Sequence, residues 1–198
     1  MSDTKEHILN VSFNLFLQKS YKEVTMQEIV TKTGMSKGAF YYYFESKEQL
    51  FLEVIDHFSD SIMLDYDKLS RDSLYQFYHD YIDHLRDTSR FLYRQNEADS
   101  GFVLNYYVLM FDAMKLFPSF REKAIATLKT ELKAWQEVIG LARERGEIRS
   151  SMTDEQISFM FVYTSDGVAM HNIMKAGLKD TPDTLLVVWD GLYEGLKA

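Results

Sequence analysis

The 198-residue chain has no cysteine, two prolines and nine glycines. Without cysteine there are no disulfides, no thiolate metal sites and no cysteine redox chemistry. With only Pro118 and Pro182 and so few glycines to interrupt it, the backbone favours long helices over many short strands. No apolar run approaches the roughly 18 residues that a membrane span requires. The opening MSDTKEHI lacks a basic start followed by an apolar stretch, so no signal peptide is expected and a cytoplasmic location is. Positive charge is also scarce. Lys and Arg number 22 against 30 Asp and Glu, a net charge of −8, and the first 60 residues hold six Lys against nine acids. Affinity for nucleic acid comes largely from neutralising phosphates. Any DNA contact must therefore be local, made by a few lysines, hydroxyls and helix N-termini. The chain has no G-x-S-x-G elbow, P-loop, dinucleotide fingerprint or H-E-x-x-H. No enzyme activity, cofactor or metal is expected from it.

What the chain does have is apolar substance, with 46% hydrophobic residues, and this argues for a packed core and against disorder. Ile8, Val11 and Leu15, with Leu9, Phe13 and Phe16 beside them, recur at helical spacing over 4–19. Thr25-x-x-Glu28 fits a capping box that opens a second helix, and Gly34 supplies a left-handed stop nine residues after the cap. Ser36 caps a third short helix, about 37–43. Ser46-x-x-Gln49 opens a fourth, 46–65, striped with Leu50, Phe51, Val54, Ile55 and Phe58. Further helices are expected near 73–90, 102–116, 118–145, 154–178 and 182–197. Pro118 and Pro182 fall in first turns, Thr153-x-x-Gln156 and Thr181 serve as caps, and Gly146 is a stop. The polar stretch 94–101 reads as a loop. The fold class expected is all-α with about nine helices.

Val24–Leu50 carries the functional signal. It is a helix, a tight turn at Gly34-Met35 and a second helix, the arrangement that sets a helix into the major groove. The second helix begins Ser36-Lys37-Gly38-Ala39, small enough for its backbone to approach DNA, and Lys37 can donate to a guanine edge or a phosphate. Tyr41, Tyr42 and Tyr43 follow about 100° apart, so at least one hydroxyl must face outward. Lys47 lies in the first turn of the next helix, where an ammonium and free N–H groups together suit a phosphate.

With Thr25, Ile29, Gly34, Ser36, Phe40-Tyr41-Tyr42-Tyr43-Phe44 and Lys47-Glu48 in register, residues 5–60 resemble the tetracycline-repressor (TetR) family of bacterial regulators. Gly146-Glu147-Ile148-Arg149 also looks like a family feature. The resemblance implies an N-terminal helix-turn-helix DNA-binding domain, 1–46, and a C-terminal helical domain for effector binding and dimerisation, 47–198. It implies base contacts from Gln27, Lys37, Gly38 and Tyr41, and phosphate contacts from Thr25, Ala39 through its backbone, Tyr42, Tyr43 and Lys47, with Ser36 as the helix cap. Tyr43 stands where the family commonly has His, and Ser20 where a helix-ending Gly is common. Its members are homodimers that bind palindromic operators on double-stranded DNA, usually as repressors released by a small molecule.

In the C-terminal part, Leu185, Trp189, Leu192 and Leu196 form one stripe on 182–197, and Val188, Gly191 and Gly195 a small-residue stripe beside it. An apolar arc so wide points to a homodimer interface. Gly167 and Met174 belong to the matching face of 154–178. The density of Phe, Tyr and Met after residue 75 points to a small apolar or aromatic effector. Tyr106, Tyr107, Met110, Met114 and Phe161 are the candidate walls, with Asp166 and His171 as polar groups. An all-helical protein-interaction module without DNA binding is the competing expectation, which the acidic balance suits.

Overall fold

The computed structural model describes residues 3–95, 102–175 and 179–198, with 60–62, 91–95, 102 and 103 as backbone only. Among the described residues the fold is all-α. Nine helices run in order: α1 Asp3–Gln18, α2 Met26–Thr33, α3 Lys37–Tyr41, α4 Lys47–Ile62, α5 Leu74–Gln95, α6 Phe102–Leu116, α7 Pro118–Glu144, α8 Asp154–Met174 and α9 Thr181–Leu196. A single 3₁₀ turn, Tyr66–Lys68, precedes α5. The loop expected at 94–101 starts later than its polarity implied, because α5 continues through Gln95. The rest of that expectation, 96–101, lies outside the described residues.

The chain packs as two compact units. The first comprises Met1–Met63 and Leu104–Lys123, so α1–α4 share a core with α6 and the first turn of α7. Ile8, Leu9, Phe16, Ile29, Phe40, Phe44, Leu50, Phe51 and Val54 are buried in it. Phe13 stacks on Phe58 at 3.6 Å between ring centroids. Phe117, in the break between α6 and α7, sets its ring against Tyr21 and Phe51. The packing does not divide after residue 46 as expected: α4 lies with α1–α3.

The second unit comprises Leu64–Val103 and Ala124–Ala198. Its centre is aromatic: Phe77, Tyr78, Trp135, Phe161 and Trp189 are all fully buried. Trp135 stacks on Phe161 at 4.7 Å and meets Trp189 edge-on at 5.1 Å. The segment Gly146-Glu147-Ile148-Arg149 closes this unit. Gly146, at φ 73°, turns the chain out of α7 in a conformation that suits glycine. The Glu147 carboxylate then accepts from the Leu74 and Tyr75 backbone N–H groups at 2.9 and 3.1 Å and from the Tyr193 hydroxyl at 3.0 Å. One side chain thus caps α5 from 72 residues away and ties α9 to it. Ile148 is buried, and the Arg149 N–H donates to the Leu196 carbonyl.

The expected caps vary in how they form. Thr153 and Gln156 make the complete reciprocal box. Thr25 accepts from the Glu28 N–H, but the Glu28 carboxylate turns away to pair with Lys19. Ser46 accepts from the Gln49 N–H, while the Gln49 side chain accepts from Glu45 and not from Ser46. Thr181 does not cap α9. It is the first residue of the helix, and its hydroxyl accepts from the Asn172 side chain. Buried amide and hydroxyl satisfy one another there, which outweighs a solvent-exposed cap.

Candidate nucleic-acid interface

Two short capped helices build this surface. Thr25 caps α2 and Ser36 caps α3, each side-chain oxygen accepting the backbone N–H three residues on. Between them Gly34 sits at φ 70° and donates its N–H to the Thr31 carbonyl, which closes α2. The aromatic run then divides by helical period. Phe40 and Phe44, four apart, are buried in the core. Tyr42 is 84% exposed, Tyr41 is also exposed and Tyr43 is half-buried. The structure therefore places Thr25, Gln27, Ser36, Lys37, Gly38, Ala39, Tyr41 and Tyr42 all on the surface of consecutive elements. An added Cβ at Gly38 would meet nothing within 4 Å, so the start of α3 is open to a large neighbour. Lys37 stands 5.9 Å from the Tyr41 ring centroid.

Lys47 behaves differently from the exposed lysine that its sequence position implies. It is half-buried, and its Nζ donates to the carbonyls of Tyr21 and Val24 at 2.9 and 3.0 Å. Its ammonium also lies 4.3 Å from the centroid of the Tyr21 ring. Ser20 replaces the helix-ending glycine by another route. Its N–H and hydroxyl both donate to the Glu23 carboxylate, holding it below its ordinary pKa, while its carbonyl accepts from the N–H groups of Glu23 and Val24.

Residues 8–54 match the family description "Bacterial regulatory proteins, tetR family". This N-terminal quarter of the chain is thus similar to that family. YerO of Bacillus subtilis (strain 168), an HTH-type transcriptional regulator, is 43% identical over 58 residues, 29% of this chain and 20% of its own. IcaR of Staphylococcus aureus (strain Newman), the negative transcriptional regulator of the biofilm operon icaADBC, is 30% identical over 84 residues, 39% of this chain and 45% of its own. The chain thus spans between a fifth and a half of the length of these curated relatives. The SmeT–triclosan complex shares the fold over all of this chain and 93% of its own, with a TM-score of 0.72 at 19% identity.

The residues expected around an effector are divided between the two units. Tyr106, Tyr107, Met110 and Met114 are half-buried on α6 in the first unit. Phe161, Asp166 and His171 belong to the second unit. Phe161 is a core residue with no exposed surface, stacked on Trp135, so as the chain stands it offers no wall to a ligand. Asp166 and His171 are on the exposed side of α8. A surface cavity of about 380 Å³ in the second unit is lined by Arg86, Ser89, Arg90, Lys179, Pro182 and Asp183, none of them a residue expected around the effector.

A polar cluster that sequence reading missed lies in the second unit. The Tyr81 hydroxyl is 3.5 Å from Glu131 Oε1, and Tyr66 also hydrogen-bonds that carboxyl. Burial raises the pKa of Glu131, with the nearby Asp166 carboxylate adding to the effect, and partial desolvation raises Asp166 although that residue is exposed overall. Both tyrosines are pushed above their usual range for the same reason. Tyr66 sits in an irregular segment and Glu131 in a charged stretch of α7, so no local pattern marks either one. Trp135, one turn beyond Glu131, is fully buried, and its Nε1–H has no partner among the described residues.

Of the expected dimer residues, Gly167, Met174, Val188, Gly191 and Gly195 are exposed, with Met174 at 74%. They form part of one outward stripe on α8 and α9 that also includes Met160, Tyr163, Met170 and Val187. Trp189 does not belong to it. It is fully buried and donates Nε1–H to the Phe161 carbonyl and the Thr164 hydroxyl. Leu192 is half-buried against the same core. The apolar arc of α9 serves two faces, and periodicity alone does not divide them.

Proposed function

We propose that this protein is a ligand-responsive transcriptional regulator, a repressor that binds a palindromic operator on double-stranded DNA as a homodimer in the cytoplasm. The observation that carries the reading is the exposed set Thr25, Gln27, Lys37, Gly38, Tyr41 and Tyr42, spread over a capped helix-turn-helix whose Phe40 and Phe44 anchor it in the core. Hydroxyls, an amide and a lysine on so acidic a chain match the local mode of contact that its charge demands. Repression is favoured by the likeness to IcaR, a negative regulator. Division of labour between residues 1–46, which read DNA, and 47–198, which sense and dimerise, goes with this reading.

The outward stripe of α8 and α9 supports the homodimer. Met160, Tyr163, Met170, Met174 and Val187 expose apolar surface along two adjacent helices, and Gly167, Gly191 and Gly195 permit close approach of a second copy. A two-fold axis there would set two recognition helices about one DNA turn apart, ~34–36 Å, to read a palindrome. The effector is a small apolar or aromatic molecule. The aromatic density of the second unit, the unpartnered Trp135 donor and the buried Glu131 carboxyl favour a ligand that combines apolar surface with one polar group. The fold is shared with SmeT, whose complex contains triclosan. The ligand acts by favouring a conformation with lower DNA affinity, and linkage makes DNA weaken ligand binding by the same factor.

The test is a gel shift with the duplex upstream of the protein's own coding sequence and with duplexes selected from a random pool. Specific, salt-sensitive binding of one palindromic sequence by a dimer is expected. No enrichment of any duplex rejects the reading.

A further inference from the structure

We infer that Lys47 is a positioning residue, a latch that holds the N-terminus of α2 against α4, and that its contribution to DNA binding does not come from neutralising a phosphate. The inference rests on the DNA-binding reading above and deepens it. Residues 19–25 leave α1 and enter α2 with few backbone partners of their own. Within this link the Ser20 carbonyl accepts from the Glu23 and Val24 N–H groups. The carbonyls of Tyr21 and Val24 take their hydrogen bonds from Lys47 Nζ, at 2.9 and 3.0 Å, across more than 20 residues of chain. An ammonium has three N–H donors. Two of them point at carbonyls, and the Tyr21 ring lies 4.3 Å from the nitrogen.

The ring that floors this site is itself held. Tyr21 meets Phe51 of α4 edge-on at 4.6 Å and Phe117 at 5.3 Å. The carbonyl at the far end belongs to Val24, which is fully buried, and the next residue is Thr25, the cap of α2. Lys47 therefore joins the first turn of α4 to the residue just before the cap of the helix that opens the DNA surface. With two N–H groups on these part-buried carbonyls, a phosphate is left only the third, on which the Tyr21 ring also makes a claim, and would have to break both hydrogen bonds to draw the ammonium away. Lys37, which is exposed, carries no such load and is the natural reference for a phosphate or base contact.

The experiment uses the full chain and a duplex selected by the wild-type protein from a random pool. Affinity is measured from 50 to 200 mM salt for wild type, Lys47→Met and Lys37→Ala, and amide hydrogen exchange of Thr25–Gln27 is followed without DNA. Lys47→Met is expected to weaken binding at least tenfold at every salt concentration, to leave the log–log salt slope unchanged, and to speed exchange at Thr25–Gln27. Lys37→Ala is expected to lower the slope by about one. A slope lowered by about one in Lys47→Met with unchanged amide exchange, or unchanged affinity, overturns the inference. Should Lys47→Met fail to fold, the Lys47 ammonium resonance of the wild-type protein decides. A signal protected from exchange in the free protein and unaltered by DNA supports the latch; one that appears only with DNA overturns it. If the pool yields no duplex, the DNA-binding reading fails, while the ammonium signal of the free protein still reports on the latch.

Discussion

Lys37 and Tyr42 are both exposed on the helix-turn-helix, and the proposed function makes different demands on each. Tyr42 has a free hydroxyl on an 84% exposed ring, so Tyr42→Phe removes a hydrogen bond and no charge. The expected outcome is weaker binding to all sequences, by several-fold, with the salt slope retained. Lys37→Ala removes a charge and a base-edge donor, so it flattens the slope and changes sequence preference, by roughly 1–3 kcal/mol if the contact is bidentate. Titrations of both variants over a set of mutated operators check this, and a Lys37→Ala protein with unaltered preference would remove Lys37 from the base contacts. Glu147 is the residue-scale case for stability. Its carboxylate serves two backbone donors at the start of α5 and the Tyr193 hydroxyl. Glu147→Ala leaves those donors without it and is expected to cost about 2 kcal/mol in urea unfolding, in the range for hydrogen bonds to a charged group.

At the scale of elements, α5, α7 and α8 share the Tyr66, Tyr81, Glu131 and Asp166 cluster, and its electrostatics has a sign that unfolding can read. Burial raises the Glu131 pKa, so the folded state favours the protonated carboxyl more than the unfolded chain does. Its stabilising effect is complete below the unfolded value and is lost as pH rises through the folded one. Glu131→Gln keeps an acceptor for the Tyr66 and Tyr81 hydroxyls and removes the buried charge. Its melting temperature is expected to exceed that of wild type at pH 7–8, with the gap closing as pH falls toward about 4. Calorimetry of both proteins across that interval measures it, and a gap independent of pH would mean that Glu131 is not the titrating group.

For the whole molecule the stripe on α8 and α9 makes the sharpest demand. Gly167 and Gly191 are exposed, and an added Cβ at either meets nothing within 4 Å inside the chain. Gly191→Arg and Gly167→Arg are therefore accommodated by a single copy and obstruct the approach of a second. The expected result is a protein with wild-type helical circular dichroism, a monomer mass in sedimentation, and loss of operator affinity because half-sites are then bound one at a time. A dimer that survives both substitutions would move the two-fold axis to another surface.

Sequence by itself determined the parts governed by local chemistry. The helices, the Thr25, Ser36, Ser46 and Thr153 caps, the stops at Gly34 and Gly146, and the need for at least one of Tyr41, Tyr42 and Tyr43 to face outward all follow from period and from backbone donors that a nearby side chain must satisfy. Tertiary structure decided whatever depends on which face of an element meets a partner. Trp189 and Phe161 became core because an apolar arc wide enough for two faces does not say which one is inside. Thr181 gave up its capping role to satisfy Asn172, and Glu147 found donors 72 residues away. Lys47 took two carbonyls of a distant link, and the Glu131 cluster drew four residues from three helices and a 3₁₀ turn, since buried polar groups pair with whatever the fold brings near them and sequence distance plays no part in that choice.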